Sequence, residues 1–153
     1  MNGPDYMAQD GLSKQRLRLW VNLLRTTRSI EADLREEMRR AYGSTLPRFD
    51  VLSALERHGD GLLMGELSRH LMVSNGNVTG IVERLVADGL VERLAVEGDR
   101  RAILVRLTPA GAAAFGVMAG QHEDWVDRRL AGIGRDEAQA VIDSLSRIRE
   151  DRP

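Results

Sequence analysis

The stretch from Val73 to Gly111, VSNGNVTGIVERLVADGLVERLAVEGDRRAILVRLTPAG, decides the fold. It reads as one helix, a sharp stop and a two-stranded hairpin with a charged tip. Val78, Ile81, Val82 and Leu85 recur at helical spacing, so they form one buried stripe. Asn75 to Asn77 precede the stripe with cap-forming residues, and Gly89 follows it as a C-terminal stop. Gly76, Asn77, Gly80 and Arg84 occupy the opposite face, with Glu83 and Ala87 towards its edges. Each glycine inside a helix costs about 1 kcal/mol relative to alanine. A helix that gives up stability on its exposed face is one that another molecule approaches closely.

Working outward, Gly65 to Leu71 forms a short helix with Leu67 and Leu71 inward, and Met72 to Gly76 connects it to the first stretch. Two short helices a few residues apart, the second exposing small polar side chains, make a helix-turn-helix arrangement. Upstream, Leu62 to Met64 is a short apolar piece suited to a small strand, and His58 to Gly61 is a turn. Before the turn, a helix with Pro47 in its first turn runs from Thr45 or Leu46 to about His58, with Phe49, Leu52 and Leu55 inward. Downstream, Leu90–Arg93 and Ala102–Leu107 are β-rich and bracket Glu97 to Arg101, a hairpin with two adjacent arginines at its tip. Thr108 and Pro109 then cap a helix reaching about Leu130 through Phe115, Met118, His122 and Trp125. Gly132 and Gly134 interrupt it before a last amphipathic helix from Asp136 to Arg149.

The opening segment, residues 1–11, reads as a weakly ordered lead, and Leu12 to Tyr42 as one long helix. Its apolar stripe through Leu17, Trp20, Val21 and Leu24 has two outlets: the chain's own C-terminal helices, or a second copy. Shared burial in a homodimer suits so long an arm better. The expected architecture is mainly α with a small β-hairpin (α+β). Residues 47–108 form the central unit, and 12–46 with 109–150 form a helical dimerisation region.

Composition narrows the function. The 153 residues are 42% hydrophobic and 29% charged, enough to fold around a core without staples. There is no cysteine, which excludes disulfides, thiolate metal sites and thiol redox sensing. No apolar run approaches the length of a membrane span and no apolar leader is visible, so the expected location is cytoplasmic, with no membrane partner. Net charge is −1, so the overall balance lends no support to a nucleic-acid partner. The kind of base does: Lys14 is the only lysine, and arginine offers a planar fork suited to phosphates and base edges, although genome bias also yields such a preference. His58, His70 and His122 show no ligand spacing, and no nucleophile-elbow, phosphate-loop or dinucleotide motif is present. His122-Glu123-Asp124 are adjacent on a helix and point different ways. The chain therefore reads as no enzyme, with no metal and no cofactor.

From Leu46 to Gly111 the order of elements resembles the MarR family of transcriptional regulators. GLVER at 89–93 and DRRAILVRLTPAG at 99–111 carry the likeness: an aspartate, any residue, an arginine, a short strand, then Leu-Thr and a glycine. The resemblance implies a winged helix-turn-helix flanked by N- and C-terminal dimerisation helices. It also implies a homodimer on a palindromic double-stranded DNA operator, most often a repressor released by a small molecule. Asn75–Asp88 becomes the recognition helix, and the hairpin becomes the wing, with the family's wing aspartate and arginine at Asp99 and Arg101. The cysteine-based redox branch is excluded.

The expected DNA-contacting set is Asn75, Gly76, Asn77, Thr79, Gly80, Arg84, Asp99, Arg100 and Arg101. Asparagine can pair bidentately with adenine, and the N-terminal end of a recognition helix faces base edges. For Asn75 helix capping competes with readout; Asn77, inside the helix, is the better reader. Thr79 suits a phosphate or a thymine methyl, and the glycines allow close approach. Arg84 suits a phosphate, or alternatively an ion pair with Asp88 at i,i+4. Arg101 suits a narrow minor groove, with Asp99 orienting it by a charge-assisted hydrogen bond and Arg100 touching the backbone. For the effector, the resemblance puts a pocket between the winged unit and the dimer helices, where Arg16, Trp20, Arg28, His58 and Met64 offer an aromatic wall and cations. Each has an ordinary packing or surface role as its alternative. The stretch from the second helix to the wing looks most like regulators of aromatic-acid (hydroxycinnamate-type) catabolism, some sensing the acid's CoA thioester. The competing class is a winged-helix protein-interaction module that never touches DNA.

Overall fold

In the computed structural model, residues 4–71 and 75–151 are described, with side chains from residue 11 onward except those of Asn75 and Gly76. The expected connector residues Met72, Val73 and Ser74 lie outside the described residues. Six helices and three strands follow one another as α1 (Pro4–Tyr42), α2 (Leu46–Arg57), β1 (Leu62–Leu63), α3 (Met64–Leu71), α4 (Asn75–Ala87), β2 (Val91–Val96), β3 (Asp99–Leu107), α5 (Pro109–Arg129) and α6 (Arg135–Glu150). The fold is the mainly helical α+β arrangement expected, with a three-stranded antiparallel sheet in the order β1-β3-β2.

Residues 4–11 correct the expected weakly ordered lead, because α1 already runs from Pro4. The physical reason is local. Proline suits a first helical position, and between it and Leu12 only Gly11 opposes the helix, at a cost of about 1 kcal/mol that a 39-residue helix tolerates.

The core lies where α2, α3, α4 and the sheet meet α5. Val78, Val82 and Leu85 of α4 are fully buried, as their spacing predicts, against Val51, Leu52 and Leu55 of α2, Leu67 of α3 and Val105 of β3. Thr45 caps α2 by accepting the Arg48 N–H at 3.3 Å, with Pro47 in the first turn. Rings join the helices outside the sheet: Phe49 lies 5.5 Å from Phe115 and stacks at 4.6 Å on His122, and Tyr42 lies 6.3 Å from Trp125. His122 is thus a packing residue between α2 and α5.

The end of α4 is closed by Gly89, whose φ of +75° lets Leu90 N–H reach back to the Leu85 carbonyl at 3.0 Å. The same turn anchors α5. The Thr108 hydroxyl donates to the Gly89 carbonyl at 2.6 Å and accepts the Gly111 N–H at 3.0 Å, while Thr108 N–H donates to Leu90 O at 3.1 Å. Gly111 lies so close to Leu90 that a Cβ there would fall 1.8 Å from the carbonyl oxygen. The Leu-Thr-x-x-Gly sequence is therefore a joint, holding the start of α5 on the stop of α4.

Both ends of the chain leave apolar surface open. Leu12, Leu17, Leu19 and Trp20 of α1 are exposed, as are Val141, Ile142 and Ile148 of α6, which has no buried residue. Among the described residues no helix is long and apolar enough to cross a membrane.

Candidate nucleic-acid interface

The N-terminal half of α4 and the β2–β3 hairpin both leave polar side chains exposed. The buried stripe of α4 turns Asn77, Thr79, Gly80, Glu83 and Arg84 outward, all exposed. A Cβ at Gly80 would meet nothing within 4 Å, so no packing inside the chain requires glycine there. Asn75 is already within α4, and its side chain and that of Gly76 lie outside the described residues, so its expected capping or reading role is not placed. Asn77 sits in the first turn of α4 and is exposed.

Arg84 does not pair with Asp88. Asp88 is taken by Arg48, forty residues earlier on α2, and among the described residues Arg84 has no acidic partner. The i,i+4 pair expected as its alternative is therefore absent, which leaves the guanidinium available to an external anion.

The hairpin also differs from its expected form. The strands are longer, and the tip is Glu97-Gly98, so Arg100 and Arg101 lie on the returning strand just past it. Ala95 pairs with Ile103 while the adjacent Val96 pairs with Asp99, so Arg100, Arg101 and Ala102 are extra residues opposite a single step of β2. Such an irregularity re-aims side chains near the edge of a sheet. Asp99 fixes its shape: its Oδ1 accepts the main-chain N–H of Arg101 at 3.0 Å. The carboxylate thus sets the backbone from which the guanidinium projects. Arg100 and Arg101 are both exposed, and neither has an acidic partner among the described residues. Lower on the hairpin, Arg106 pairs across the strands with Glu92 and is consumed by the fold. Three arginines with no acidic partner among the described residues thus lie on the exposed face of α4 and on the wing, although the whole chain carries a net charge of −1.

The residues proposed for an effector are not gathered in one chain. Arg16, Trp20 and Arg28 lie exposed on α1, and Met64 begins α3, packed against the core. Only His58 among the five lines a described cleft, one of about 440 Å³ shared with Glu66, Arg69 and His70. Its ring lies 4.7 Å from that of His70, and its Nδ1 is 3.0 Å from the Ala54 carbonyl. A larger cleft of about 540 Å³, between α2, α4 and α5, contains none of the five. Periodicity gave no signal for it, because its walls come from four separate elements. Among the described residues no group of three or more histidine, aspartate or glutamate side chains could hold a metal ion.

Comparison with known proteins agrees with this geometry. Residues 42–102 match the sequence model of the MarR family. A MarR family transcriptional regulator from Silicibacter pomeroyi has a solved structure that superposes with a TM-score of 0.76 at 32% identity, covering 90% of this chain and 95% of that one. AbsC from Streptomyces coelicolor, at 24% identity and a TM-score of 0.78 over 88% of this chain and 91% of that one, shares the fold. Among curated relatives, the transcriptional repressor NicR of Pseudomonas putida is 41% identical over 101 residues, 66% of this chain and 63% of that protein. The transcriptional activatory protein BadR of Rhodopseudomonas palustris is 38% identical over 95 residues, 61% of this chain, and the chain spans only 49% of its length. Regulators of this family bind DNA as dimers and respond to small molecules. With its helix-turn-helix and wing, the chain belongs to the MarR family and is a DNA-binding transcriptional regulator rather than an enzyme.

Proposed function

We propose that this regulator is a homodimeric repressor that holds a palindromic operator and leaves it when a small effector binds. The observation that carries the reading is an exposed set with no acidic partner or side-chain hydrogen bond among the described residues: Asn77 and Arg84 on α4, Arg100 and Arg101 on the wing. In this reading Asn77 reads a base edge in the major groove, Arg84 and Arg100 hold phosphates, and Arg101 enters the minor groove. Asn75, Gly76, Thr79 and Gly80 belong to the same approach surface. The uncovered apolar faces of α1 and α6 support the dimer, since each is far more exposed than a monomer needs. Two recognition helices then face successive turns of the major groove, about 34 Å apart. The same dimer would bring a partner copy over Arg16, Trp20 and Arg28, whose aromatic and cationic chemistry suits an aromatic acid or its CoA thioester. Control of aromatic-acid catabolism is the corresponding role. The likeness to NicR, a named repressor, supports that sign of regulation, whereas the likeness to BadR, a named activator, supports the opposite one.

Asn77→Ala tests the base-reading role. With an operator selected in vitro from random duplexes, the variant should lose about tenfold of its preference over scrambled DNA, the value of one bidentate base contact. A specificity ratio equal to that of the unaltered protein would rule out readout by Asn77.

A further inference from the structure

The chain has three histidines and no cysteine, and two of the three histidines meet. His58 is the residue that ends α2, and His70 lies in the last turn of α3. Their ring centres are 4.7 Å apart, with the rings tilted by 54°. The third, His122, is stacked on Phe49. His58 Nδ1 lies 3.0 Å from the Ala54 carbonyl oxygen, which can only accept, so Nδ1 carries the proton and Nε2 keeps its lone pair. A backbone carbonyl on one ring nitrogen is the usual support of a histidine whose other nitrogen ligates a metal. Two imidazoles bound to one ion at about 2.0–2.1 Å, at angles from square to tetrahedral, set their ring centres about 4.5–5.2 Å apart. The observed separation falls within that span. Both rings line a cleft of about 440 Å³ with Leu62, Glu66 and Arg69, which leaves room for an ion and its waters. His58 is half-buried and held, whereas His70 is exposed and gives access from solvent.

We propose that His58 and His70 bind a divalent transition-metal ion, Zn²⁺ foremost, which ties the end of α2 to the end of α3. The inference is separate from effector release and does not rest on it. It goes beyond the sequence, whose histidine spacing suggests no metal, because the two ligands come from different helices. Nitrogen donors without thiolate favour Zn²⁺, Ni²⁺ and Cu²⁺ over Mg²⁺ and Ca²⁺. Among the described residues no third histidine, aspartate or glutamate completes a set with the pair, so water fills the remaining positions. Glu66 stands one turn before His70 on α3, and its Oε2 accepts the Leu63 N–H at 2.9 Å. Held in that way, its carboxylate serves as acceptor for a metal-bound water, and its charge offsets that of Arg69 beside the cleft. Two protein ligands make an exchangeable site, in contrast to the closed four-ligand centres that hold small domains together. The bound ion stiffens the seat of α3, the helix that leads into α4.

The test is titration calorimetry of Zn²⁺ into the intact protein, stripped beforehand with EDTA, in a buffer that does not chelate. One ion should bind per chain, and an excess of Mg²⁺ should not displace it. H58N keeps an amide donor where Nδ1 meets the Ala54 carbonyl and removes the ligand atom; H70N changes an exposed position. Each should weaken Zn²⁺ binding at least about tenfold, the loss of one of two ligands. Zn²⁺ at about a hundredfold over its dissociation constant should raise the thermal midpoint of the unaltered protein by about 5 °C or more, and that of neither variant. No uptake of Zn²⁺ by the unaltered protein, affinity equal in H58N and H70N to the unaltered chain, or displacement by Mg²⁺ overturns the site and leaves the two rings as packing alone. Should H58N not fold, H70N decides by itself.

Discussion

Arg101→Ala weakens operator binding by more than tenfold, a loss above about 1.4 kcal/mol, while the thermal midpoint stays where it was. The expectation follows from three features of the wing. The side chain is exposed and has no acidic partner among the described residues, so its removal breaks nothing inside the fold. Its main-chain N–H is held by Asp99 Oδ1 at 3.0 Å, so the guanidinium projects from a backbone already shaped before DNA arrives. An arginine ordered in this way enters a narrow minor groove at little entropic cost, where the potential is most negative. Asp99→Ala should give a smaller loss, since the guanidinium remains but its base is loosened. Arg100→Ala should lower affinity for all duplexes alike. A gel-shift titration at fixed salt in which Arg101→Ala binds as tightly as the unaltered protein would remove the wing from the interface.

Gly111→Ala should be the most damaging small substitution in the chain, for a reason unrelated to DNA. Its methyl group would lie 1.8 Å from the Leu90 carbonyl oxygen, which already accepts the Thr108 N–H at 3.1 Å. Neither side can yield cheaply. Leu90 is fixed by its bond to Leu85 O, and the start of α5 is fixed by the Thr108 hydroxyl between Gly89 and Gly111. Relief would require α5 to lift off the α4 stop, taking Met118 and Trp125 out of register with the core. A loss of about 3 kcal/mol or more is expected, the upper end for overpacking, or a fall in the thermal midpoint of about 6–12 °C for a domain of this size. Gly116→Ala on the same helix is the control, because a Cβ there meets nothing within 4 Å. It should be neutral or slightly stabilising through helix propensity. Equal midpoints for the two variants, followed by circular dichroism, would show that the joint is not what holds α5.

Much of this arrangement is legible in single residues. The stripe Val78, Val82 and Leu85 declares α4 and its buried side, because burial on one face imposes the 3.6-residue period. Thr45-Leu46-Pro47 and Thr108-Pro109 announce helix starts through capping chemistry that needs no tertiary context. The Leu-Thr-x-x-Gly signal was visible too, although its reason, a carbonyl packed on Gly111, required the fold. Features set by long-range geometry were not legible. Asp88 has Arg84 at the ideal local spacing, yet Arg48 takes it, since the crossing of α2 over α4 decides which guanidinium arrives. The hairpin tip reads as Glu97 to Arg101 because charge suggests a loop, whereas β3 already starts at Asp99 and the tip is Glu97-Gly98. The start of α1 was read late because polar residues ahead of Leu12 carry no apolar period, although nothing but Gly11 opposes a helix there. The effector set rests on the family's pocket position and on side-chain chemistry, neither of which says which residues meet, and within one chain Arg16, Trp20 and Arg28 lie on exposed α1 away from His58 and Met64.

The central claim is that a chain of net charge −1 grips DNA through a few arginines concentrated on one face. Its most direct test is the affinity of the intact protein for a selected operator and for scrambled duplex across a range of salt. The account predicts a linear fall of log Kobs with log salt for both, with a slope set by the phosphates contacted, and a preference for the operator of about 10³-fold or more at fixed salt. Binding that is absent, insensitive to salt, or equal for the two duplexes would contradict it.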